Sequence, residues 1–184
     1  MKNVLLQGRQ LSKVFVQGQV KNKVLDMVDV DIYEQDFTII MGSSGAGKST
    51  LLYALSGMDA VTDGEVSYKG KEISRLKEKQ MAKLRAEEFG FVFQQTHLVS
   101  NLTLFENVAV AGFVSKKGST GEICERARTL LTQMGVEKAE DRLPSQVSGG
   151  EAQRAAIARA MIGNPGLLFA DVYKRQPLYL QTWV

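Results

Sequence analysis

One cysteine, one histidine, one tryptophan and three prolines in 184 residues leave several chemistries without material. A single thiol, Cys124, rules out an internal disulfide and points to a reducing compartment. It falls in a predicted helix with no histidine beside it, which reads as a small packing residue rather than a nucleophile. His97, alone in a polar loop, cannot assemble a metal site and reads as a solvated or hydrogen-bonding side chain. The longest apolar run, Val108 to Val114, is far too short to span a bilayer. The stretch from Met1 to Arg9 lacks the apolar core expected of a secretory signal. With 23 basic and 20 acidic residues the net charge is only +3, and no Lys/Arg cluster sits beside aromatics, so nucleic acid is a poor partner. The length suits one sizeable core.

Glycine, by contrast, is concentrated where it does chemical work. Gly42-Ser43-Ser44-Gly45-Ala46-Gly47-Lys48-Ser49 fits G-x-x-x-x-G-K-[ST]. Glycines in this pattern let main-chain N–H groups converge on nucleotide phosphates, the lysine reaches the β and γ phosphates, and the serine hydroxyl ligates Mg²⁺. Phe37 to Met41 before it is apolar and β-prone, predicting a buried strand. Thr50 to Leu55 after it favours a helix that Gly57 can end. Strand, loop and helix in that order add the helix dipole to the loop amides. A nucleoside triphosphate with Mg²⁺ is therefore the expected ligand.

Elsewhere the pattern alternates between classes. Val28, Val30 and Ile32 predict a half-buried strand, as do Val66 and Tyr68. Ser74 is placed to cap a helix running to about Glu88, and Phe89 to Phe93 reads as a buried strand. Ile123, Ala127, Leu130, Leu131 and Met134 form a helical stripe that Gly135 can stop. An alanine-rich helix from Gly150 or Glu151 to Ile162 follows Ser148, a suitable cap, and Gly163-Asn164-Pro165 ends it. Leu167 to Ala170 reads as a strand closed by Asp171. That carboxylate either caps a turn or, with the glycine loop upstream, helps hold Mg²⁺ as in P-loop NTPases.

Ser148-Gly149-Gly150-Glu151, with Gln153-Arg154 and Ile157-Ala158-Arg159-Ala160 after it, resembles the LSGGQ-type signature of ABC transporter ATPases, Val147 replacing Leu and Glu151 replacing Gln. Phe91-Val92-Phe93-Gln94 resembles the Q-loop of that family. Arg85 to Phe93 and Leu102 to Val108 look most like the branch that serves lipoprotein release and macrolide export. The resemblance implies an α/β fold: a P-loop NTPase of ABC type with a RecA-like core sheet, an N-terminal antiparallel β subdomain and a helical subdomain carrying the signature. It places a nucleotide-binding domain over 1–171, β-rich to about residue 94, helical over about 95–163 and closed by the strand at 164–171.

Further roles follow from the resemblance alone. Phe15 would stack on adenine; Gly42, Ser43, Ser44, Gly45, Ala46, Gly47, Lys48, Ser49, Thr50 and Gln94 would hold the nucleotide. Ser49, Gln94 and Asp171 would hold the metal. Ser148, Gly149, Gly150 and Glu151 would meet the ATP of a second subunit in a head-to-tail homodimer. An integral membrane permease is the implied partner and the inner face of the cell membrane the implied location. Where the family has its catalytic glutamate this chain has Val172, and a valine accepts no proton, so no catalytic base is assigned. Residues 172–184 continue no family motif and read as a truncated or frameshifted continuation, predicting an unpaired sheet edge. Other readings are an ABC ATPase regulating cell-wall remodelling at division and a hydrolysis-dead ATP-binding module. A DNA-repair ATPase is disfavoured because no heptad region lies between Gln94 and Ser148.

Overall fold

Alternating apolar residues in the first third of the chain become long antiparallel strands in the computed structural model, which describes residues 2–171 and 178–182. These residues form two compact units, one of residues 2–83 with 171 and 178–182, the other Leu84–Ala170. In the first unit, β1 (Val4–Gln17) and β2 (Val20–Tyr33) form a hairpin in register from Val4 opposite Tyr33 to Gln17 opposite Val20. β3 (Phe37–Ile40) leads through the glycine loop into α1 (Lys48–Leu55), followed by β4 (Asp63–Tyr68) and β5 (Lys71–Glu72). The sheet order is β2-β1-β4-β5. Leu5, Leu6, Leu11, Leu25, Ile32 and Val66 are buried along it; of these, Ile32 and Val66 belong to the alternations read from the sequence. Gly64 fixes the β1–β4 approach: its φ is +91°, and a Cβ there would lie 2.4 Å from the carbonyl oxygen of Gln10.

α2 (Glu78–Glu88) begins three residues later than a Ser74 cap suggested. The Ser74 hydroxyl donates to Glu72 (3.0 Å) instead of capping, and the Gln80 side chain accepts the Lys77 amide at the true start. A serine with a nearer carboxylate satisfies that carboxylate first.

In the second unit, β6 (Phe89–Phe93) is followed by α3 (Leu104–Ser115), α4 (Thr120–Gln133), α5 (Gly149–Met161) and β7 (Leu167–Asp171). Leu104, Val108, Ala127, Leu131, Ala155, Ala158 and Ile162 share one core. The stripe read on α4 supplies Ile123, Ala127, Leu130 and Leu131, all buried. Small residues let the elements close: a Cβ on Gly90 would meet the Ala160 carbonyl at 2.5 Å. β6 and β7 are neighbours, and Phe169 packs between Phe89 and Phe91, its ring centroid 5.2 and 5.4 Å from theirs. Cys124 is half-buried on α4, as a packing residue would be. Among the described residues no helix is long and apolar enough to cross a membrane.

Asn107 pins the loop before α3. Its Oδ1 accepts the Val99 amide (2.7 Å), and its Nδ2 donates to the carbonyls of Val99, Leu102 and Thr103 (3.1, 3.0 and 2.9 Å). Asn107→Leu strands these groups in a buried setting and should cost roughly 2–4 kcal/mol. Urea denaturation measures the loss, and limited proteolysis should localise new cleavage to 99–103.

One expectation about β3 is corrected. Phe37 and Ile39 are 48% and 43% exposed, so the strand is not buried; apolar composition gave its conformation but not its cover. It is paired on one edge. β8 (Leu178–Thr182) runs antiparallel to it, Phe37 opposite Gln181 and Ile40 opposite Leu178. An open edge is a template for any β-prone segment within reach, and Leu-Tyr-Leu-Gln-Thr is one.

Candidate nucleotide-binding site

The loop between β3 and α1 has the backbone its glycines predict. Gly45 and Gly47 both adopt φ of +82°, a left-handed conformation that L side chains resist. Gly47 is constrained a second way, since a Cβ there would stand 3.0 Å from the Val24 carbonyl oxygen of β2. Ala46 N–H donates to Ser43 O (3.2 Å), tightening the turn. The Lys48 ammonium folds back to donate to Ser43 O (2.7 Å) and Gly42 O (3.0 Å), which centres its charge on the loop.

α1 starts differently from the later helices. Its N-cap is Gly47, which has no side chain to accept a hydrogen bond, and the helix ladder begins only with Leu51 N–H to Gly47 O (2.8 Å). The amides of Lys48, Ser49 and Thr50 therefore have no intrahelical acceptor and face an anion-attracting helix end. In α3, α4 and α5 a capping box gives the third of these amides an acceptor and places a carboxylate at the helix start, from Thr103 and Glu106, Ser119 and Glu122, and Ser148 and Glu151.

Asp171, at the end of β7, is half-buried beside α1. The Tyr53 phenol is pushed up by burial and further by the Asp171 charge. Tyr53 lies one turn after Ser49 on the same helix face. A hydroxyl and a carboxylate are hard oxygen donors of the kind Mg²⁺ takes alongside phosphate and water, so these residues fit that ion. Among the described residues no cluster of three or more His, Cys, Asp or Glu could hold a metal without such help.

Phe15 is 42% exposed on β1, opposite Asn22. Asn22 is two residues along β2 from Val24, whose carbonyl touches the loop at Gly47, a step of about 7 Å. The Lys13 ammonium lies 5.1 Å from the Phe15 ring and is anchored on Asp59 at 2.6 Å. Lys13, Val24 and Tyr53 drew no attention in the sequence; the pairing register of β1 and β2 is what brings the first two to the loop.

In the second unit Gln94 is exposed just after β6. The main chain on either side of it is held by α5: Gln153 Nε2 donates to Phe93 O (3.2 Å), and Arg159 donates to Thr96 O and His97 O (both 2.6 Å). The His97 ring stands edge-on to Phe93, 5.6 Å between centroids. Arg159 had been visible only as a charge in an alanine-rich helix; its task depends on which loop the fold lays beside it.

Ser148 caps α5 as its residue type suggested. Its hydroxyl accepts Glu151 N–H (3.2 Å) and donates to the Glu151 carboxylate (2.7 Å), which also accepts Ser148 N–H (2.8 Å). These Ser148 bonds, then Arg154 and Arg142, hold the Glu151 carboxyl below its ordinary range. Gly149 and Gly150 are exposed. A depressed carboxylate stabilises the fold above its unfolded pKa, about 4.3, and loses that contribution as pH falls through its lower folded value. Protection factors of amides 149–152, corrected for the intrinsic exchange rate, should therefore fall on acidification below about pH 4, a fall that Glu151→Gln abolishes.

A strand, a glycine loop and an uncapped helix, with a lysine over the loop and a carboxylate beside the helix, define a P-loop nucleotide-binding protein. Comparison with known proteins goes one step further: the chain belongs to the ABC transporter family, whose model matches residues 25–172. It is 40% identical over 168 residues to the lipoprotein-releasing system ATP-binding protein LolD of Wigglesworthia glossinidia brevipalpis, covering 91% of this chain and 73% of that one. Two solved structures of the ATP-binding cassette MJ0796 are similar at a TM-score of 0.85 and 35% identity, over 90% of this chain and 73% of theirs. One is a dimer in a post-hydrolysis state bound to ADP and Pi. The cassette fold expected from the signature and Q-loop residues is thus the fold of this chain.

Proposed function

We propose that this chain is the ATP-binding subunit of a membrane exporter, coupling nucleotide binding to a permease from the cytoplasmic face of the membrane. The observation that carries this reading is the α1 terminus: three amides without acceptors, the Lys48 ammonium over the loop, and Asp171 beside the same helix. The name of the LolD relative supports the transport role, and the MJ0796 dimer supports assembly in pairs.

In this reading Gly42 to Thr50 wrap the phosphates, Ser49, Gln94 and Asp171 hold Mg²⁺, and Phe15 receives the adenine ring. Lys48 and the loop amides bind the charge of the terminal phosphate. Ser148, Gly149, Gly150 and Glu151 of a second copy meet the other side of the same nucleotide, so ATP joins two subunits and its loss releases them. The nucleotide-binding domain spans 1–171, with its β-rich part to about residue 94 and its helical part over about 95–163. Val172 stands where the family has glutamate, so no side chain there takes a proton from the attacking water; binding is retained and turnover is low.

Light scattering on purified protein tests the sandwich. MgATP should convert monomer to dimer while MgADP does not, with phosphate release far below that of family members that carry the glutamate. A Cβ added at Gly149 meets nothing within 4 Å, so Gly149→Asp should fold normally and still bind MgATP. Its added negative charge at the α5 terminus should abolish the dimer. A dimer that persists in this variant overturns the sandwich, and brisk turnover overturns the role given to Val172.

A further inference from the structure

The main-chain carbonyls of Phe93, Thr96 and His97 bracket Gln94 and Gln95, and all three accept from α5. We propose that Gln153 and Arg159 are positioning residues that suspend the Gln94 loop from the signature helix by its own backbone. This rests on the nucleotide role proposed for Gln94.

The geometry is that of a two-point clamp. Gln153 and Arg159 are six residues apart, about 9 Å along a helix, and they grip opposite ends of a five-residue segment. Arg159 gives one guanidinium nitrogen to each of two successive carbonyls at 2.6 Å, a forked donor geometry that lysine lacks. The guanidinium is half-buried, and that burial lowers its pKa. A half-buried cation whose polar partners are loop carbonyls resists detachment, because detachment removes the dipoles that face its charge. The loop also closes on itself: His97 takes a left-handed turn with φ of +47°, bringing its ring against Phe93. Side chains of Gln94 and Gln95 are exposed while their flanking main chain is fixed. A displacement of α5 therefore carries Gln94 with it, and a ligand that pulls on Gln94 pulls on the helix whose first turn is Ser148-Gly149-Gly150.

Hydrogen exchange followed by mass spectrometry tests this on the whole chain. Without nucleotide, Arg159→Met should speed exchange of amides 94–98 at least tenfold and leave α3 and α4 within twofold. Arg159→Lys should fall between, since one ammonium reaches fewer of the two carbonyls. Gln153→Met, a milder change, should speed exchange at 94–95 and keeps the test alive if the arginine variant does not fold. With MgATP, in the Gly149→Asp background where no second copy can cover the signature, exchange should slow at both 94–98 and 149–152, whereas adding Arg159→Met should leave slowing only at 94–98; a purely structural arginine would not uncouple the two segments. Unchanged loop exchange in Arg159→Met and Gln153→Met, or acceleration spread evenly over the second unit, overturns the clamp. Absence of any MgATP effect in wild type overturns the nucleotide role of Gln94, while the nucleotide-free comparison still decides the clamp.

Discussion

Lys48→Ala should weaken MgATP binding about a hundredfold or more, with the thermal midpoint almost unchanged. A charge-assisted hydrogen bond to an anion contributes about 1.5–3 kcal/mol, and the lysine also supplies a full positive charge at the polyphosphate; a hundredfold loss corresponds to about 2.7 kcal/mol. Stability should barely respond because the ammonium touches only Ser43 O and Gly42 O, both in an exposed loop that water can hydrate in its place. Isothermal calorimetry reads the affinity and circular dichroism the fold. Equal binding by both proteins would remove the basis for every nucleotide role assigned above.

Phe169→Ala is expected to destabilise the chain by about 3–5 kcal/mol, the range for deleting a buried aromatic ring. Phe169 is 1% exposed and makes an edge contact with Phe89 and a near-parallel one with Phe91, interplanar angles 74° and 11°. Its removal opens a void between β6 and β7, two residues before Asp171. Urea unfolding should show a lower midpoint, with Phe169→Leu recovering about half of the loss because most of the apolar volume returns. A cost below about 1 kcal/mol would mean that the three-ring cluster collapses freely around the void.

The parts of the fold that could be read from the sequence are those set by local stereochemistry. Gly45 and Gly47 need positive φ wherever they stand in that loop, and Ser148 followed at three residues by Glu151 is a cap by virtue of reach alone. The stripe on α4 was legible because helical period and core side coincide. What failed depended on competitors or distant neighbours. Ser74 found Glu72 before a helix terminus, and Phe37 and Ile39 had the composition of an interior strand without elements to cover them. Pairing of β8 with β3 joins segments about 140 residues apart by hydrogen bonds that any β-prone pair could make. In the candidate site, the glycine loop was evident from spacing, whereas Lys13, Val24 and Tyr53 joined it only through strand register and helix packing. Arg159 was visible as a residue and invisible as a tether, since backbone carbonyls carry no sequence signature.

Glu151 lodges its own carboxylate at the start of α5. In the proposed sandwich, a phosphate arriving there meets a resident anion, so docking becomes an exchange of partners with a small net gain. When the guest leaves, the serine hydroxyl and the Glu151 amide are reclaimed at once. A contact built this way would be weak to form and quick to undo.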